Sequence, residues 1–280
     1  MLKEKLSQLR INNYKLRMNT NNNAINNTID QTKKNTLFLI LTAIFLTNVI
    51  VAEIIGMKVI ALYEIFGLPY KSIEIWKGFS LDLVIPVGVI LWPIVFIVSD
   101  VMNEYFGQKG IKKASYLTSI MVLYTFAIIN ITTSLPASQS WISFYKESTG
   151  KADFDINFAF NTIIGQSGVI MIASIVTFLI GQLLDALVFQ KIKNITGEKY
   201  FWLRANGSTF FSQLIDSFLV ITLAFYLYPK IMGQKAWDVD FLFSVGINNY
   251  IYKMLIGVAL TPVLYLVHHF VDKYLQIKQN

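Results

Sequence analysis

Long apolar runs separated by short polar connections dominate the pattern of the chain. Six of them, over residues 37–57, 82–99, 111–131, 163–187, 208–228 and 246–267, each lie near the ~20 residues that an α-helix needs to cross a bilayer core. The fold class this predicts is an all-α integral membrane protein of six transmembrane helices. Polar residues interrupt or end these runs: Glu53, Asp100, Glu104, Gln182, Asp185, Gln213, Asp216 and Lys253. A charged side chain at the bilayer centre costs about 2.5–3.5 kcal/mol on insertion scales. Such residues therefore predict a protein-lined interior that holds a pathway or a binding site.

The connections divide the chain into a polar tail over residues 1–35, a membrane domain over 36–272 and a short tail over 273–280. The first tail is rich in asparagine and has no apolar core of a signal peptide, so a disordered or weakly helical segment is expected. Between the first two runs, the turn signal Phe66-Gly67-Leu68-Pro69 precedes Ile73, Ile75, Trp76 and Phe79, a pattern that fits a hairpin or an interfacial segment. The connection over 132–162 carries Trp141, Phe144 and Tyr145, aromatic rings of the kind favoured at the headgroup level.

Composition agrees with a membrane assignment. Of the 280 residues 54% are hydrophobic and 15% charged, and the mean hydropathy is +0.51; a soluble domain would carry about 25% charged residues. The net charge of +7 comes mostly from lysines and arginines in short connections, which marks topology rather than a nucleic-acid surface. With both termini inside, sixteen lysines and arginines fall on the inner side, seven on the outer side, and Lys253 within a span. That asymmetry predicts cytoplasmic termini. The chain has no cysteine, which removes disulfides, thiolate metal sites and cysteine nucleophiles together. His268 and His269 stand at the end of the last run without a third histidine, so they read as interface residues. No cofactor or metal is expected.

Three motifs carry the candidate chemistry. Ser99-Asp100-Val101-Met102-Asn103-Glu104-Tyr105-Phe106-Gly107 ends the second run, and helical spacing puts Asp100 and Glu104 on one face. Either Lys112 and Lys113 satisfy these acids at the surface, or the glycine ends a broken helix that lines a cavity. Gln182 with Asp185 and Gln213 with Asp216 repeat one pattern, an amide and then an acid three residues later, on runs joined by a short connection. They predict two antiparallel helices that face each other with paired polar groups. Arg204-Ala205-Asn206-Gly207-Ser208-Thr209 precedes the fifth run and is expected to form a helix N-terminus with a Ser or Thr cap. Lys253 either snorkels to the outer interface or pairs with Asp216 or Asp185, and Glu53 in the first run needs a partner or a proton.

These motifs resemble the queuosine precursor transporter family, vitamin-uptake-like integral membrane proteins of the bacterial inner membrane. The resemblance spans about residues 37–270 and rests on Asn48 and Lys58, Ser99-Asp100 with Glu104, Tyr105 and Gly107, Gly181-Gln182 with Asp185, Arg204 with Ser208-Thr209, Gln213 with Asp216, and Lys253 with Pro262. Glu53 is not a residue expected throughout the family. The resemblance implies uptake of 7-cyano-7-deazaguanine, its 7-aminomethyl relative or a related deazapurine base for tRNA modification. Asn48, Asp100, Glu104, Gln182, Asp185, Arg204, Gln213, Asp216 and Lys253, with Glu53 and Tyr105 as further candidates, would bind the cargo or couple its movement. A carboxylate suits the paired N–H donors of a guanine-like edge, and Lys, Gln or Asn suits its carbonyl. Protons are a candidate coupling ion, and a homodimer is compatible with the reading. The family fold implied is six helices, with two related three-helix halves as a further expectation; the Gln-x-x-Asp echo lies wholly in the second half.

A substrate-capture subunit of an energy-coupling-factor vitamin importer is the alternative, although residues 41–50 lack its small-residue docking motif. A membrane-embedded enzyme would need a Ser–His–Asp set, a His-Glu-x-x-His motif or a Gly-rich phosphate loop, none of which the sequence contains.

Overall fold

A computed structural model describes residues 30–56, 58–65, 67, 69, 73–76, 79–81, 84–151, 153–165, 168–197 and 199–276. The expected polar tail lies outside them up to residue 29, and the first helix already begins at Asp30. Five helices among the described residues are long and apolar enough to cross a membrane: Asp30–Ile55, Trp92–Ser134, Ile172–Thr196, Phe201–Ile231 and Val239–Ala259. We label the elements α1 (Asp30–Ile55), β1 (Val59–Ala61), α2 (Leu62–Ile65), β2 (Ile73–Trp76), β3 (Phe79–Leu81), β4 (Val84–Pro86), α3 (Trp92–Ser134), α4 (Gln139–Thr149), α5 (Ile156–Ile164), α6 (Gly168–Thr196), α7 (Phe201–Thr222), α8 (Tyr228–Ile231), α9 (Val239–Ala259) and α10 (Thr261–Leu275).

The connection after α1 folds back on itself as a nested pair of antiparallel ladders. β1 pairs with β4 in the register Val59↔Pro86, Ile60↔Ile85 and Ala61↔Val84, and β2 pairs with β3. The hairpin expectation for this segment is met. The helix expected from residue 82 instead begins at Trp92, because Val84–Pro86 is a strand and Val87–Leu91 a 3-10 turn.

α3 has 43 residues, which would extend about 64 Å as one straight helix against a hydrocarbon core of ~30 Å. Gly107, at φ 63° and ψ −173°, breaks it into two arms. A residue with a Cβ pays for such a conformation, and glycine does not. The first arm runs antiparallel to α1: a Cβ on Gly88 would lie 2.3 Å from the Ala52 carbonyl oxygen, while at the other end the rings of Phe38 and Phe106 meet edge to face at 5.1 Å. The second arm turns Tyr116, Leu117, Ile120, Leu123, Ile128 and Ile131 outward and buries Ser115, Thr118, Ser119, Val122 and Phe126. Small and hydroxylated residues inside and large apolar ones outside is the arrangement lipid requires.

α6 and α7 form the central antiparallel pair, and α9 packs antiparallel on α7. α6 starts at Gly168 rather than at residue 163, since Ile163 and Ile164 close α5. α7 starts at Phe201, so the motif from Arg204 to Thr209 lies inside the helix. The expected Ser or Thr cap is therefore not one: Tyr200, at φ 58°, occupies the capping position. Beyond α7 the chain makes a π-helical turn, Leu223–Leu227, ahead of Pro229. Proline has no N–H to give to the carbonyl four residues back; the Phe225 carbonyl instead accepts from the Trp237 N–H at 3.0 Å, and the two rings stack at 4.1 Å. The last expected span, 246–267, divides at Leu260 into α9 and α10, next to Pro262.

Candidate functional site

Polar side chains from α1, the first arm of α3, α6, α7 and α9 meet in a buried column. At one end Ser174 on α6 donates to Glu53 Oε1 on α1 at 2.6 Å. Lys253 on α9 forms an ion pair with Asp216 on α7, and its ammonium lies 5.6 Å from the centre of the Trp92 ring. Lys253 is only 6% exposed, so it does not snorkel. Of the two partners considered for it, Asp216 is the one it meets.

The next layer joins α3, α6 and α7. Ser99 Oγ donates to Gln182 Oε1 at 3.2 Å. Asp185 accepts from Asn103 Nδ2 on one oxygen at 3.2 Å and from Ser212 Oγ on the other at 3.4 Å. All four side chains of the two amide-acid pairs are buried, and their hydrogen bonds and ion pairs run to other residues: Gln182 to Ser99, Asp185 to Asn103 and Ser212, and Asp216 to Lys253. Gln213 Oε1 has no hydrogen-bond partner among the described residues.

Near Gly107 the column ends in a dense charged network. Glu104 accepts from Arg204 through both oxygens, Nε to Oε2 at 2.9 Å and Nη2 to Oε1 at 2.7 Å, the bidentate geometry that makes arginine-carboxylate pairs strong. Arg204 Nη1 donates to the Gly197 and Lys199 carbonyls at 3.1 and 2.9 Å, and Phe201 packs on the guanidinium. Lys193 reaches Glu104 Oε1 and its carbonyl, both at 3.0 Å, and Gln190 donates to the Asn103 carbonyl at 2.8 Å. Lys112 and Lys113 are not the partners of Glu104; Arg204 and Lys193 are. A second cluster lies beside it, in which the Tyr105 hydroxyl donates to Asp272 Oδ1 at 2.6 Å and His268 Nδ1 lies 3.1 Å from Asp272 Oδ2. His268 is thus packed into the fold, against Tyr105 and Phe201, rather than lying at the interface.

Asp100 stands apart. It lines a small cavity with Phe96, Asn206, Thr209, Leu260 and Thr261, and its Oδ1 has no hydrogen-bond partner among the described residues.

The sequence-predicted residues divide accordingly. Asp100, Gln182, Asp185, Arg204, Gln213, Asp216 and Lys253 are all buried in the helix interior, Glu104 is half-buried with its side chain turned inward, and Glu53 and Tyr105 are held by Ser174 and Asp272. Asn48 instead donates to the Ile44 carbonyl of its own helix at 2.8 Å. Lys58 is exposed, as is Phe211, one of the rings with the right chemistry for a base-stacking wall. Asn103, Lys193, Ser212 and Asp272 escaped sequence reasoning. Asn103 sat in plain view inside the Ser99–Gly107 motif, whereas Lys193 and Asp272 look like ordinary charges beyond the ends of runs.

Membrane-length helices that bury acidic, basic and amide side chains against one another, beside a small cavity, are the arrangement of a polytopic membrane transporter. A family model described as "Putative vitamin uptake transporter" matches residues 86–267. The chain belongs to this family, which is one of transporters and not of enzymes. Among its relatives, the "Probable queuosine precursor transporter" of Bacillus subtilis (strain 168) is 26% identical over 225 residues, 74% of this chain and 87% of the relative. The protein of the same description from Haemophilus influenzae is 25% identical over 173 residues, 62% of this chain and 63% of the relative. The "Queuosine precursor transporter" of Escherichia coli (strain K12) is 24% identical over 181 residues, 63% of this chain and 73% of the relative. No solved structure matches the chain. These matches do not favour a substrate-capture subunit of an energy-coupling-factor importer.

Proposed function

We propose that the chain imports a queuosine precursor across a bacterial inner membrane. The cargo would be a deazapurine base such as 7-cyano-7-deazaguanine or its 7-aminomethyl relative. The observation that carries this reading is the buried column itself. Its acids and amides match a guanine-like cargo, which presents N–H donors on one edge and a carbonyl on the other, and the relatives' names supply the cargo class.

In this reading the chain crosses six times. α1, the first arm of α3 with the 3-10 turn before it, the second arm of α3, α6, α7 with α8, and α9 with α10 alternate in direction, and the contacts Gly88 to Ala52 and Phe106 to Phe38 support the two-armed crossing. The excess of lysine and arginine then puts both termini in the cytoplasm. The Arg204–Glu104–Lys193 network closes the cytoplasmic end, and the Lys253–Asp216 pair with Glu53 occupies the outer half. Opening one end while the other stays closed gives alternating access, and buried carboxylates make protons the favoured coupling ion.

The test is uptake of labelled 7-cyano-7-deazaguanine by a bacterium that cannot synthesise deazapurines, with this chain as its sole added gene. Accumulation and restored tRNA modification are expected. A correctly inserted chain that binds the base but accumulates it only when ATPase partners are supplied would convert the reading to a capture subunit. An inserted chain that does neither would overturn it.

A further inference from the structure

The five membrane-embedded acids of the column differ in one respect. Glu53 has Ser174, Glu104 has Arg204 and Lys193, Asp216 has Lys253, and Asp185 has Asn103 and Ser212 on its two oxygens. Asp100 Oδ1 is fully buried with no partner among the described residues, although the side chain is 5% exposed and borders a cavity. A buried acceptor left without a donor carries its full desolvation penalty, so an oxygen of this kind calls for a donor from outside the chain.

The cavity, about 20 Å³ and so water-sized as it stands, has to widen at the α9–α10 break before a base can enter, and its lining indicates what sort of donor that base presents. The Phe96 side chain, an apolar ring that lines the cavity, lies on the same helix as Asp100 and four residues before it, one turn away. Across the cavity are Asn206 and Thr209 of α7 and, at the α9–α10 break, Leu260 and Thr261. Asn206 Nδ2 is already held by Thr261 Oγ1 at 2.9 Å. A lone carboxylate beside an aromatic ring suits a flat heterocycle that presents two adjacent N–H groups, a ring N–H with an exocyclic amino group, to the two carboxylate oxygens. Lysine- or arginine-paired acids are poorly placed for this, because a cation already occupies their acceptors.

We infer that Asp100, rather than Asp216 or Asp185, is the carboxylate that reads the paired N–H edge of the cargo, in the cavity between the first arm of α3 and the α9–α10 break. This rests on the proposed deazapurine cargo and narrows it. Asp216 and Asp185 then hold helices in register, and a base without the exocyclic amino group is discriminated against at Asp100.

Two ligands decide it: 7-cyano-7-deazaguanine and its analogue without the 2-amino group, each titrated into the full chain in lipid nanodiscs. The wild type is expected to bind the analogue about 10- to 100-fold more weakly, the equivalent of one lost hydrogen bond to a charged group. Asp100→Asn is expected to bind both equally and weakly, whereas Asp185→Asn keeps the preference even where overall affinity falls. The wild-type ratio needs no variant, so an unstable Asp100→Asn protein does not shelter the idea. Equal binding of the two ligands by the wild type overturns it, as does an Asp100→Asn protein that retains the preference and loses accumulation alone, since Asp100 would then serve coupling. In both cases the cargo assignment survives. A wild type that binds neither ligand and imports neither overturns the cargo assignment and this inference with it.

Discussion

Arg204→Met is the sharpest test of the charged network near Gly107. Methionine keeps much of the length and apolar bulk of arginine but removes the four donor contacts that Arg204 makes, two to Glu104 and one each to the Gly197 and Lys199 carbonyls. Glu104 would keep Lys193, whose side chain is partly exposed. Removing one partner of a buried ion pair destabilises by about 3–5 kcal/mol, and the remaining lysine places the expected loss at the lower end, about 3 kcal/mol. The loss comes mainly from stranding the carboxylate, so Glu104→Gln added to Arg204→Met is expected to recover about 1–3 kcal/mol, within the range of coupling between contacting residues. Arg204→Lys keeps the charge and loses the fork, and falls between wild type and Arg204→Met. Denaturant unfolding in mixed micelles, run on the wild type, Arg204→Met, Glu104→Gln and the double variant, gives the coupling directly. Single effects that add to within about 0.5 kcal/mol would show that Arg204 and Glu104 act independently, against the bidentate geometry.

Three further outcomes are expected. Lys253→Met strands Asp216 in the interior and should reduce uptake by about tenfold or more, while Lys253→Met with Asp216→Asn inserts more stably than the single variant; wild-type uptake in Lys253→Met would remove the pair from transport. Gly107→Ala puts a Cβ at φ 63° and ψ −173°, a region essentially reserved to glycine, and should destabilise by about 1–3 kcal/mol, with Gly107→Asn no milder, as thermal unfolding in detergent would report. Tyr105→Phe keeps the ring and removes the donor to Asp272, so amide exchange in α10 should quicken with little change in α6; unchanged exchange in α10 would show that this hydroxyl does not fasten it.

Apolar runs of membrane length made the helices legible, because lipid permits few other solutions. Their ends were less so. A backbone can be apolar and still form a strand or a 3-10 turn when neighbouring strands supply its hydrogen bonds, as Val84–Leu91 does. Likewise, an apolar count does not see that α7 begins seven residues ahead of its apolar run, at Phe201. The acids and amides were legible as a set because their burial in lipid demands a reason, and Lys253 found one of the two partners expected of it. Partners from beyond the runs were not, since Lys193 and Asp272 resemble any interfacial charge until α3, α6 and α10 are packed together. Nor does sequence spacing say which acid is left unpaired.

The polar contacts of the first arm of α3 join residues far apart in the chain. Ser99 meets Gln182 across 83 positions, Asn103 meets Asp185 across 82, and Glu104 meets Arg204 across 100. A ribosome finishes this arm long before it makes the segments that satisfy it. During synthesis α1 and the arm can already associate through Gly88 and Ala52, but Asp100, Asn103 and Glu104 face lipid or the insertion machinery without their final neighbours. Each unsatisfied ionised group in that position costs about 2.5–3.5 kcal/mol. The polar contacts of this arm therefore cannot form until α6 and the start of α7 have been made.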